Sequence, residues 1–77
     1  MLIKIYADFN STNEDDKVRL NTVGSIKDIE QYEGLLKNGM KVILYMEEIE
    51  VEALLEFNET IEIWLGVPDW STIKYLY

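Results

Sequence analysis

The sequence predicts a mainly β fold: a small barrel of about five to six antiparallel strands with one short helix at about 25–33. Three features of the chain point there. Residues 2–9 alternate between apolar and polar; three β-rich runs follow one another closely at 41–46, 49–57 and 61–67; turn-forming residues punctuate them. At 77 residues the chain makes a single domain, 1–77, near the size at which one core only just suffices. A hydrophobic fraction of 48% places it among folding chains despite its charge.

Each element has its own local warrant. In the first strand Ile3, Ile5, Ala7 and Phe9 share one face, and Lys4 and Asp8 take the other. Asn10 to Asp16 is a solvated loop, and Lys17 to Thr22 returns as a second strand with Val18, Leu20 and Thr22 on one side. Ser25-Ile26-Lys27-Asp28 fits a helix start, a hydroxyl capping the first amides with an acid three residues on. Ile26 and Ile29 give it a short apolar stripe, Gly34 ends it, and so short a helix must be held by packing. Asn38-Gly39 supplies the positive φ of a tight reversal before the third strand. Glu47-Glu48 reads as a hairpin turn that keeps an edge soluble. Pro68 to Ser71 breaks the pattern as a 3₁₀ turn, and Ile73 to Tyr77 follows as a terminal strand.

The 49–67 hairpin can be phased by parity. Val51, Ala53, Leu55 and Phe57 face one side, and keeping Glu62 off the core requires Ile61, Ile63, Leu65 and Val67 to share it. An odd loop, Asn58-Glu59-Thr60, satisfies this and sets Phe57 opposite Ile61, Leu55 opposite Ile63, Ala53 opposite Leu65 and Val51 opposite Val67. On the outer face Glu56 then meets Glu62, and Leu54 meets Trp64.

Charge is unevenly written along the chain. Val42 to Ile73 contains eight acids (Glu47, Glu48, Glu50, Glu52, Glu56, Glu59, Glu62, Asp69) and no base, while the rest balances seven acids against seven bases. The formal charge of -8 thus belongs to that stretch, and one sheet surface is expected to be strongly negative. Seven scattered bases form no phosphate-binding footprint, so nucleic acid and anionic membrane are not expected partners. Zero cysteines fit a reducing compartment, MLIKIYADFN is too short and polar for a signal peptide, and no apolar run reaches the roughly 18 residues of a membrane span. A cytoplasmic protein is the expectation.

Several chemistries lack their residues. Without His or Cys there is no Ser-His or Cys-His nucleophile arrangement and no common zinc site. Asp8, Asn10, Thr12 and Glu14 alternate like a calcium loop, but Asn13 stands where Gly is required and Arg19 where a bidentate Glu is required. The glycines at 24, 34, 39 and 66 form no phosphate-cradling pattern. Glu50 and Glu52 share a strand face, as carboxylates on any solvated strand do. No enzyme, no metal and no cofactor is expected.

From Leu36 onward the order of elements resembles an SH3-like barrel. LKNGMKVILY looks like the turn and second strand of that architecture, EVEALLEFNETIEIWLGV like its central hairpin, and VPDWSTIKYLY like its valine–proline–turn–aromatic ending. The resemblance covers about half the chain and implies a barrel. The peptide-binding signature is incomplete: no ALYDY-like segment is present, and Ile49-Glu50 stands where paired tryptophans belong. The two N-terminal strands and the helix also depart from it, so the chain as a whole looks more like one of the small bacterial SH3-like barrels of unknown role. An OB-type barrel is the runner-up, disfavoured because its helix follows the third strand.

The surface feature singled out is an aromatic patch with an acidic rim. Leu54 and Trp64 are expected outward, ringed by Glu52, Glu56 and Glu62, with Trp70 in the turn beyond. Such a patch suits a protein partner with Lys or Arg, through cation–π and ionic contacts. The expected function is a non-catalytic interaction module with its contact surface on the 49–67 hairpin; the alternative is an acidic inhibitor or nucleic-acid mimic occupying a basic cleft. A homo-oligomer is compatible with both.

Overall fold

The computed structural model describes residues 2–75. Its elements are β1 (Lys4–Tyr6), β2 (Val18–Arg19), α1 (Val23–Gln31), β3 (Lys41–Met46), β4 (Ile49–Asn58), β5 (Ile63–Pro68), a 3₁₀ turn (Trp70–Thr72) and β6 (Lys74–Tyr75). The expected continuation of the last strand through Tyr77 lies partly outside the described residues. The strands form one curled sheet in the order β1-β3-β4-β5-β2, with β6 joining β4, a half-barrel consistent with SH3-like architecture. Four of the five pairings are antiparallel as expected, but β1 runs parallel to β3. A parallel neighbour needs a long crossover, and the segment carrying β2 and α1 provides it.

The core lies in the concave face. Ile5, Ala7, Val18, Leu20, Val42, Leu44, Val51, Ala53 and Leu55 are buried together, with Ile3 and Phe9 packed against them. These are the inward residues that alternation assigns to β1, β2 and β4, because a half-covered strand must turn every second side chain away from water.

The 49–67 hairpin is antiparallel, but its register differs from the parity expectation. Leu55 opposes Gly66, Phe57 opposes Trp64, Leu54 opposes Val67 and Glu56 opposes Leu65. The connection is the four-residue stretch 59–62, in which the Asn58 carboxamide accepts from the amides of Thr60 and Ile61 and Glu62 adopts φ 54°. Glu62 is kept from the core by lying in the loop, so parity never had to exclude it. Trp64 and Gly66 therefore face inward, and Leu65 is buried on the opposite face. Gly66 is needed there: a Cβ would stand 2.7 Å from a methyl of the fully buried Leu44.

The helix starts two residues earlier than expected. Thr22, not Ser25, is the N-cap, its hydroxyl accepting from the Ser25 amide at 3.1 Å. Ser25 is fully buried, and its hydroxyl donates to the Tyr6 carbonyl on the outer edge of β1. Asp28 completes the clasp, accepting from the Tyr6 amide at 2.8 Å and from the Tyr45 hydroxyl at 2.7 Å. At the other edge the loop covers β2: Thr12 bridges Val18, and the Arg19 amide donates to the Ser11 carbonyl. β4 is sealed between β5 and β6 where the Glu52 amide donates to Thr72 Oγ1 and the Asp69 amide donates to the Glu52 carbonyl. Asp69 caps the 3₁₀ turn, and hydrogen bonds from the Ser71 hydroxyl and amide hold its carboxyl below the usual range.

Candidate functional site

The outer face of β4 carries Glu50, Glu52, Leu54 and Glu56 in alternation, and its glutamates are not free. Lys4 of β1 reaches Glu50 at 2.7 Å, Lys41 of β3 reaches Glu52 at 3.3 Å, and Lys17, just before β2, reaches Glu56 at 2.8 Å. The Glu56 carboxylate, which accepts two bonds from Lys17, holds that ammonium above its ordinary pKa. The expected strongly negative sheet surface is thus corrected. Bases distant in sequence converge on the acidic strand, because the sheet order brings β1, β3 and β2 to the same face. Pairs made across strands leave no trace in the linear order of charges.

The proposed contact residues do not form one patch. Leu54 is 46% exposed and stands outward, beside Val67 and not beside Trp64. Glu52 and Glu56 flank it, each with its lysine. Trp64 points to the concave side, packed against the core and edge-to-face with Phe57 at 5.1 Å between ring centres. Trp70 is 48% exposed and meets Phe9 edge-to-face at 5.5 Å, and it is not among the residues that line the depression around Leu54. Glu62 lies in the 59–62 loop, not opposite Glu56.

Trp64 does have an acidic rim, made by other residues. Between α1 and β5 the half-barrel is open, and a groove of about 540 Å³ is lined by Ile29, Glu30, Glu33, Gly34, Leu36 and Trp64. A second hollow shares Ile29, Glu30 and Trp64 and adds Leu20, Ile26, Ile63 and Glu62. The floor is apolar, and three carboxylates stand around it with no base among the lining residues. Ile26 is left 45% exposed at its border. The helix holds Ile26, Ile29 and Glu30 on neighbouring turns by the three- and four-residue spacing, and the turn that follows it brings Glu33 to the same rim.

Sequence reasoning identified Trp64 and Glu62 but missed Glu30 and Glu33, since they lie outside the base-free stretch. The i, i+3 pattern of Ile26 and Ile29 followed by two glutamates was the available signal. Among the described residues no group of three or more carboxylates has metal-holding geometry, and no helix is long and apolar enough to cross a membrane. The arrangement offers an indole on which an aliphatic stem can lie and carboxylates that can meet a cationic head. Comparison with protein-family models, curated proteins and solved structures finds no match to this chain.

Proposed function

We propose that this domain is a non-catalytic interaction module that takes a basic segment of a protein partner in the groove between α1 and β5. The observation that carries the reading is the coincidence of a partly buried indole, Trp64, with Glu30, Glu33 and Glu62 around it and no base in the lining. A Lys or Arg side chain would lay its methylenes on Trp64 and direct its charge to the rim. The contact still involves the 49–67 hairpin, through Trp64 and Glu62, but on its concave side. Strand addition is disfavoured at β1 and β2, where the edge groups of Tyr6 and Arg19 are already bonded. The mimic alternative has less support, because Glu50, Glu52 and Glu56 are each held by a lysine and do not offer a free carboxylate row. A cytoplasmic setting fits the lack of cysteine.

The test is a titration of the Trp70→Phe variant, in which Trp64 is the sole indole, with short Lys- or Arg-bearing peptides. Trp64 emission and the amide signals of Ile29, Glu30 and Leu36 are expected to shift. Glu30→Gln with Glu33→Gln is expected to weaken binding roughly 2- to 10-fold, as two exposed charges allow. Shifts confined to Leu54 or Trp70, or none with any basic peptide, would refute the groove.

A further inference from the structure

The outer face has a property that the groove does not use. Lys4, Lys17, Arg19, Lys41 and Lys74, five of the seven bases, belong to it by strand register or ion pairing, against Glu50, Glu52 and Glu56. Asp69 and Asp28 at its borders, with Asp15 beside Lys17, leave the face close to neutral, so most of the formal charge of -8 lies elsewhere. Within this balanced face Ile43, Leu54 and Val67 form an apolar strip, with Leu54 opposite both Lys41 and Val67 on its neighbouring strands. Beside the protruding Leu54 is a depression of about 440 Å³ lined by Lys41, Glu52, Ala53, Leu54, Val67, Pro68 and Asp69.

A knob and a hollow at one place, with one base and two acids around them, make a self-complementary surface. We propose that the protein forms a two-fold dimer through this outer face, Leu54 of each copy seated between Val67 and Pro68 of the other. In a two-fold contact residue i meets j and j meets i, so Lys41 of each copy comes to face Glu52 and Asp69 of the other. Charge selects this face over the rest. Taken as a whole the face is close to neutral in a chain of net charge -8, so two copies meet here with less repulsion than across the acidic remainder. The area required, about 800 Å² per partner, is roughly 15% of the 5231 Å² surface of the chain. The groove stays open on the opposite side, so self-association and partner binding do not compete.

Sedimentation velocity over about 10 μM to 1 mM tests this, with circular dichroism to check folding. Wild type is expected to shift from monomer to twice that mass and no further. Leu54→Asp is expected to weaken association about 30-fold or more by bringing two like charges together at the centre, and Leu54→Met to leave it intact. A monomer at every concentration, a dimer indifferent to Leu54→Asp, or growth beyond two copies in a head-to-tail series would overturn the proposal. Peptide titration of Leu54→Asp separates this from the groove: the dimer can fail while Trp64 still responds, and Glu30→Gln with Glu33→Gln leaves the sedimentation unchanged.

Discussion

Tyr45 sits where a single proton matters. Its hydroxyl donates to Asp28, and that bond, followed by burial, pushes its pKa up to about 12 from the ordinary 10.0. Because the folded value is raised, the stabilisation is complete below the unfolded pKa and is lost as pH climbs from about 10 to 12. Tyr45→Phe is expected to cost about 1 kcal/mol at pH 7 and to flatten that alkaline decline; urea midpoints at neutral and alkaline pH measure both. Gly66 acts by what it lacks. Gly66→Ala forces a methyl against buried Leu44 and is expected to destabilise by about 1–3 kcal/mol, seen as a lower urea midpoint. Glu47 is the reverse case. It holds φ 51° at the first position of a two-residue turn, where glycine is preferred. Glu47→Gly removes a strain of about 1–2 kcal/mol and is partly offset by chain entropy of about 0.5–1 kcal/mol, so a small gain in stability is expected.

Between elements, the decisive contact is the clasp of α1 on β1. A nine-residue helix is marginal on its own, and β1 is a three-residue edge strand; each is held by the other. Ser25 and Asp28 answer the outward carbonyl and amide of Tyr6, so no edge group of that residue waits for another strand. Ser25→Ala leaves the Tyr6 carbonyl without its donor and is expected to cost about 1–3 kcal/mol. Amide exchange in β1 and α1 should accelerate well before exchange in the β3–β4 ladder, because only the former depend on the clasp. Equal acceleration throughout would show that the clasp is not a separate cooperative contact.

Across the whole molecule, charge is sorted by face and not by segment. The three lysine–glutamate pairs of the outer face are partly exposed and contribute little, while the net negative charge outside that face repels itself. Salt screens both, and the uncompensated charge is the larger sum. Raising NaCl to about 0.5 M is therefore expected to raise the melting temperature; a fall would mean that the ion pairs dominate.

Local patterning was sufficient for much of this fold. Alternation placed Ile5, Ala7, Val18, Val51, Ala53 and Leu55 inward, and Asn38-Gly39 marked a turn whose glycine takes φ 80°. These features depend on neighbours two to four residues apart, which a chain displays openly. β5 was not legible in this way: Ile63, Trp64, Leu65 and Val67 offer apolar groups to both faces, so either register satisfied the pattern. The choice between them came from the Asn58-capped loop and from the space that Leu44 needs against Gly66. Composition along the chain settled the net charge and the absence of thiol and imidazole chemistry. Which carboxylates are neutralised, and which surround an open indole, was decided only when the sheet order carried Lys4, Lys17 and Lys41 to β4, and α1 with the turn after it carried Glu30 and Glu33 to Trp64. Coulomb attraction and burial act on distance in space, and sequence separation is a poor measure of that distance in a crossed-over sheet.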